Sequence, residues 1–316
     1  MFFNKIKSKY QQNLIEKLIA EEEFDDVKKI LDDLLKGDWE KNELLINNTL
    51  TQLLNKESCR KVFNNNLIWI NSFEKIDCSY INTFVEYIFK KNEIHHTPPS
   101  TYQDYLIKIF NKDISFDKIV SRSYIFQYLI SQLSADPILI NSSGAFFEAP
   151  QQKFFTHYFL TKFYIYIVRD PETIYRRRKH MNPSMSFDER IHGMTSSNTN
   201  YIESQSYNTV SIEENIQNWS INVSSWVNAN VISTFKGYIL KYERLLEDPH
   251  QVLSEIVAHM IQSGIDISLN YSEISTFIDQ HKPEQERFND VEISNRELKV
   301  LKRDNASVAK AFKYLD

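Results

Sequence analysis

Glycine is scarce in this chain, with five in 316 residues. Loops that cradle phosphate groups ordinarily rely on glycine to let the backbone approach the ligand, so there is little here to build one of the usual kind. Cysteine is rarer still, with only Cys59 and Cys78. They give neither metal-ligand spacing nor a disulfide framework, which suits a reducing cytosol, and a cytoplasmic location is expected. No apolar run approaches the roughly 18 residues that a membrane helix needs. Met1-Phe-Phe-Asn-Lys-Ile-Lys7 also lacks the long apolar core of a signal peptide. A net charge of −5 argues against a surface that grips nucleic acid as a whole. What is present, 42% hydrophobic and 25% charged residues, is ordinary for a globular chain able to bury a full-sized core.

Residues 4–58 contain no strand-like run. Apolar residues recur there at helical spacing, through Leu14, Ile15 and Leu18, then Val27, Ile30, Leu31, Leu34 and Leu35, with Gly37 as the C′ residue. A third helix over 40–56 is built around Leu44, Leu45, Leu50, Leu53 and Leu54. Such a module either packs on the domain that follows or offers a docking surface to a partner protein. The expected division is a helical extension over 1–64 and an α/β domain over 65–316.

After the polar break Asn64-Asn-Asn66, Leu67-Ile-Trp-Ile70 reads as a buried strand, 71–79 as a polar loop and 80–91 as an amphipathic helix. Neighbouring His95 and His96 point apart and have no third ligand, so they belong to an exposed loop and no metal site is expected. A helix is expected over 123–133, a short strand over 137–140, and an aromatic-rich loop from Phe146 to Phe159. The stretch Phe163-Tyr-Ile-Tyr-Ile-Val168 reads as a strand buried on both faces, running into Arg169-Asp170-Pro171. Asp170 is placed to cap a helix whose first residue is Pro171, with Glu172 in the first turn. An arginine beside a helix N-terminus at the carboxyl end of a strand is either an anion site or an ordinary β-to-α turn with a solvated basic face. Residues 182–209 read as a long polar segment, a lid or a disordered loop, 212–227 as a helix, 238–242 as a strand and 250–262 as a helix. Strands alternating with helices predict a parallel sheet flanked by helices, with any ligand over the strands' carboxyl ends.

In order and spacing these units resemble the sulfotransferases that use 3′-phosphoadenosine 5′-phosphosulfate, in particular bacterial members. Trp69-Ile-Asn-Ser-Phe-Glu-Lys-Ile-Asp-Cys-Ser-Tyr80 stands where that family has Trp-Leu-Ala-Ser-Tyr-Pro-Lys-Ser-Gly-Asn-Thr-Trp. Tyr164 to Tyr175 stands at its apolar strand ending in Arg-Asp-Pro. Ser225-Trp226 and Tyr242-Glu-Arg-Leu-Leu-Glu-Asp-Pro249 match its later Ser-Trp and Tyr-Glu-Asp-Leu. The resemblance covers roughly residues 66 to 290. It implies a P-loop-like sulfotransferase fold with an N-terminal helical extension, the phosphosulfate as donor, and an unknown hydroxyl or amine as acceptor. It implies that Lys75 stabilises the charge that develops on the leaving phosphate and that Arg169 binds the nucleotide 3′-phosphate. Arg177 falls where the family has a phosphate-sharing serine and is either a phosphate ligand or a surface arginine. Ser79 keeps a hydroxyl in the donor loop, Tyr80 replaces the tryptophan near the adenine, and Tyr242 matches the tyrosine near the base.

The departures are equally specific. Glu74 to Ser79 contains no glycine, and the carboxylates of Glu74 and Asp77 would repel a phosphate. At about 4 Å and an effective dielectric near 20, two like charges cost on the order of 4 kcal/mol. The family's basic histidine aligns with Ser143, and a serine is no base near neutral pH unaided. His157 is a candidate substitute that lies too close to Arg169 for the family's spacing, and Glu86 is either a base or a solvated helix-face carboxylate; the family's C-terminal basic motif has no clear counterpart, Arg287 and Lys302-Arg303 being merely nearby charges. Two functions stay open: a sulfotransferase with an altered donor site, and a catalytically inactive relative that acts by binding. A different phosphate ligand held by Arg169, Arg176 and Arg177 is a third.

Overall fold

Buried runs of β-branched and aromatic residues form one parallel sheet: β1 (Leu67–Ser72), β2 (Ile138–Ser142), β5 (Thr161–Val168) and β8 (Gly237–Lys241), in the order β2-β1-β5-β8. In this computed structural model residues 2–37, 39–97, 119–142, 145–148, 153–154, 156–195, 202–207, 210–215, 218–283, 288 and 290–315 are described. The α/β class, a parallel sheet flanked by helices, is therefore as the sequence leads one to expect. Side chains alternate across the pleat. Phe163, Ile165 and Ile167 enter one hydrophobic cluster, while Tyr164, Tyr166 and Val168 enter the other.

The first face is covered by α4 (Ser79–Lys91), α11 (Pro249–Gln262) and α12 (Tyr271–Gln280), which contribute Phe84, Ile256 and Phe277. The opposite face carries α1 (Phe2–Ala20), α2 (Phe24–Lys36) and α3 (Trp39–Leu54), together with α5 (Ile119–Ser131), α6 (Pro171–Met181), α8 (Trp219–Trp226), α9 (Ala229–Thr234) and α13 (Asn295–Ala311). Leu31, Leu50 and Leu53 of the N-terminal helices lie in the same cluster as Leu67, Trp69 and Tyr164 of the sheet. Within α3, Leu44 does not face inward as the spacing implied; it is 74% exposed, and Leu45 and Ile46 are the buried pair. Gly37 ends α2 with φ −85°, outside the left-handed region, and its N–H reaches Asp33 O at 3.2 Å. Among the described residues no helix is long and apolar enough to cross a membrane.

The polar Asn64–Asn66 break is a knot of hydrogen bonds at the amino ends of the strands. Asn65 Nδ2 donates to Tyr158 O and Thr161 O, and Asn66 Nδ2 donates to Ser131 O, Ser134 O and Asp136 O.

Two expectations for the second half of the chain are overturned. The segment 182–209 is not an element-free loop: it holds α7 (Phe187–Thr195) and β6 (Ile202–Tyr207), which pairs antiparallel with β7 (Val210–Asn215). Residues 196–201 and 208–209 lie outside the described residues. The helix expected from Ile212 starts only at Trp219, because 212–215 belong to β7 and Asn218 is the N-cap, accepting from Ile221 N at 2.8 Å. The aromatic-rich stretch contains a short antiparallel pair, β3 (Phe147–Glu148) with β4 (Lys153–Phe154), and residues 149–152 are not among those described.

Candidate functional site

The topology itself marks one place. From β1 the chain goes outward to Thr97, which forms a parallel bridge with Ile138, and then to β2 beside β1. It then returns across β1 to β5 and β8. The winding thus reverses between β1 and β5, and in open parallel sheets the crevice outside the carboxyl ends at such a reversal is where ligands bind. Ser72 ends β1 and Val168 ends β5. The segments entering that crevice are therefore Phe73–Cys78 and Arg169–Pro171.

The first is a short loop closing into a 3-10 turn over Lys75–Cys78 before α4. Its backbone is bonded to itself: Glu74 N donates to Ser72 Oγ at 3.2 Å and Asp77 N to Glu74 O at 3.0 Å. Those two N–H groups are therefore not presented to a ligand. The backbone of Lys75 opens the turn, while its side chain lies outside the described residues, as do Ser143 and Arg287. Ser79 is exposed at the first position of α4, with its carbonyl accepting from Thr83 Oγ1 at 3.0 Å.

The second segment starts α6 as its residues dictate. Asp170 caps the helix, its Oδ1 accepting from Glu172 N at 3.0 Å, and Pro171 takes the first position. Arg177, almost two turns into α6, is no surface residue; its side chain is 3% exposed. Its Nε donates to Glu74 Oε2 at 2.9 Å, its Nη1 to Asp77 Oδ1 at 2.6 Å and its Nη2 to Asp77 Oδ2 at 3.1 Å as well as to Glu74 Oε2. Burial opposes the charge on Arg177, but the Asp77 and Glu74 carboxylates overcome it and hold the group above its ordinary pKa. Arg178 Nε donates to Glu74 Oε1 at 2.5 Å while its guanidinium lies 5.2 Å over the Phe73 ring. The Glu74 and Asp77 carboxylates are thus already engaged with arginines of α6.

Arg169 shares Asp77. Its Nη1 donates to Asp77 Oδ1 at 2.6 Å, and its side chain is 1% exposed. Its guanidinium stacks 4.4 Å over the ring of Tyr242, the first residue of α10 (Tyr242–Glu247). The Arg169 carbonyl accepts from Trp219 Nε1 at 3.1 Å. Nε and Nη2, which together form the side-on edge that takes a two-oxygen acceptor, have no hydrogen-bond partner among the described residues. Tyr80 is buried against Phe277, ring centroids 5.4 Å apart, and its hydroxyl has no hydrogen-bond partner among the described residues. Burial, with a smaller contribution from Tyr242, pushes its pKa up to about 12. Of the residues singled out from the sequence, the structure gathers Arg169, Arg177 and Tyr242, sets Tyr80 beside Tyr242, and leaves Ser79 exposed at the helix start.

The remaining candidates fall elsewhere. Arg176 turns away to Glu172 Oε1 at 2.7 Å and to Val291 O. His157 precedes β5, at the end of the strand opposite Arg169, with Nδ1 accepting from Phe159 N at 3.1 Å. It cannot serve as a base at this site. Glu86 accepts from Asn82 Nδ2 at 2.9 Å on α4. What the sequence did not reveal is Arg178 as a third member of the cluster, Trp219 behind it, and Glu243, whose Oε1 accepts from Asp170 N at 2.9 Å. Glu243 stood inside a recognised motif, yet nothing in the sequence tied it to a residue 73 positions away.

No family model and no curated protein matches the chain. Among solved structures it is similar to mouse sulfotransferase SULT7A1 complexed with PAP, at 12% identity and a TM-score of 0.45, over 80% of this chain and 89% of that one.

Proposed function

We propose that this is a sulfotransferase-like protein in which the turn after β1 closes the donor site with its own carboxylates, so that it acts by binding and not by sulfuryl transfer. The observation behind this reading is Arg177, whose Nε, Nη1 and Nη2 are all engaged by Glu74 and Asp77. A bisphosphate entering there has to displace two carboxylates from charge-assisted hydrogen bonds, and the glycine-free turn spends two of its N–H groups on itself. Residues in this state do not fit the phosphosulfate.

One observation favours the active alternative, transfer from 3′-phosphoadenosine 5′-phosphosulfate to an unidentified acceptor. The idle Nε and Nη2 edge of Arg169 is suited to a 3′-phosphate. Calorimetry with adenosine 3′,5′-bisphosphate at millimolar concentration separates the two. The non-catalytic reading expects no binding heat from the unmodified chain. Binding, together with sulfate transfer that vanishes in Lys75→Ala, overturns it.

A further inference from the structure

The residues that follow α13 double back onto the sheet. Tyr314 N bonds Ala309 O at 2.8 Å, closing a helix-ending turn in which Lys313 holds φ +57°. That left-handed conformation is unfavourable for a residue with a Cβ; it is held by the helix's own carbonyls, Lys313 N also donating to Lys310 O at 3.0 Å, as at the helix ends of Glu22 and Glu93. Two side chains at the carboxyl end of β8 add tertiary contacts to the residues on either side of Lys313. Glu243 accepts from the Tyr314 hydroxyl at 2.7 Å through Oε2 and from Asp170 N at 2.9 Å through Oε1, so one carboxylate ties this segment to the start of α6. Lys241 Nζ donates to Phe312 O at 3.0 Å and lies 4.2 Å over the Tyr314 ring. Behind Tyr314 stands Trp219, ring centroids 6.4 Å apart, the same indole that holds the Arg169 carbonyl. A crevice at the start of α6 is walled by Asp170, Glu172, Lys302 and Tyr314.

We propose that residues 312–315 are a strap, latched by Glu243 and Lys241 and strained at Lys313, whose local opening gives access to Asp170 N–H and to the buried Arg169 guanidinium. Strain and latch act in opposite directions. Removing the Tyr314 hydroxyl loosens the latch, whereas glycine at 313 removes the backbone penalty and holds the strap shut. A passive helix end responds to these two changes in the same way; what sets the strap apart is that the Arg169 guanidinium becomes reachable as it opens. The strap is independent of whether a nucleotide donor binds.

The test uses the full chain with Tyr314→Phe and Lys313→Gly, and two readouts. Hydrogen exchange at Asp170 N–H is expected to proceed by local opening, insensitive to low urea, while Ile165 in β5 exchanges only by global unfolding. Relative to the unmodified chain, Asp170 exchange rises about five- to tenfold in Tyr314→Phe and falls about fivefold in Lys313→Gly. Phenylglyoxal modification of Arg169, read by mass spectrometry against exposed Arg60, follows the same order. The proposal is overturned if Asp170 exchange shares the urea dependence of Ile165, or if Arg169 reacts equally in all three proteins.

Discussion

Asp77 Oδ1 receives Nη1 of both Arg169 and Arg177 at 2.6 Å, and the side chains of all three are at most 3% exposed. A buried ion pair adds little net stability, but removing one member strands the other, at a cost of about 3–5 kcal/mol. Asp77→Ala is therefore expected to lower the unfolding free energy by about that amount in urea titrations. Glu74→Ala should cost clearly less, because Glu74 and Arg178 keep 17% and 21% exposure and the buried Arg177, its other partner, retains Asp77. Equal losses would contradict this account. At the other end of β5, burial pushes His157 down to about 4. Its neutral ring is what the fold contains, so between about 6.5 and 4 the unfolded chain binds a proton that the folded chain does not. Stability thus falls as pH drops through that window and levels off below it. His157→Gln is expected to flatten that part of the pH profile of the melting temperature. The residue types at the arginine site were legible, since Arg169, Arg177, Glu74 and Asp77 all stood out. Their pairing was not, because hydrogen bonds joining positions 92 to 104 apart leave no local signal, and so the acids read as repelling a ligand when in fact they bind the arginines.

Elements were legible where the chain runs through short apolar stretches. The strands at 67, 138, 163 and 238 declared themselves as short apolar runs, and the start of α6 by its Asp-Pro-Glu. The β6–β7 hairpin did not, because Ile202-Glu-Ser-Gln-Ser-Tyr207 has no alternating apolar face, and Ile212, Ile216 and Trp219 mimic helical spacing across a strand and a cap. Gly237 shows a constraint of a different kind. It opens β8 opposite Tyr164, and a Cβ there would overlap the Tyr164 ring, which is itself packed 5.4 Å from Trp226. Gly237→Ala should cost about 1–3 kcal/mol by overpacking. In the Tyr164→Leu background most of that penalty should disappear, a coupling that a double-mutant cycle in urea measures directly. A purely additive cycle would place the clash elsewhere.

At the scale of the molecule, the helices of residues 2–54 and the sheet share one face of apolar packing. Ile15, Ile19, Phe24, Val27, Leu31, Leu34, Leu35, Leu45, Ile46, Leu50, Leu53 and Leu54 lie in a single cluster with Leu67, Trp69, Ile138, Ile140 and Tyr164. Polar contacts reinforce it, with Lys56 Nζ donating to Ile19 O at 2.8 Å and Tyr128 Oη to Asp32 Oδ1 at 3.4 Å. At roughly 1.5–3 kcal/mol per buried side chain, those twelve residues represent on the order of 20–35 kcal/mol of gross burial. Even a third of that, shared with the sheet side, is comparable to the net stability of about 5–15 kcal/mol of a whole domain. Deleting residues 1–54 is therefore expected to abolish cooperative unfolding. The shortened chain should keep much of its far-UV circular dichroism, lose its near-UV signal and bind 8-anilinonaphthalene-1-sulfonate, the signature of a sheet whose second face has lost its cover. In the intact chain, far-UV dichroism and tryptophan fluorescence should report one coincident urea transition. A deletion chain that melts cooperatively within a few degrees of the parent would show that the helices are an appendage to a self-sufficient core.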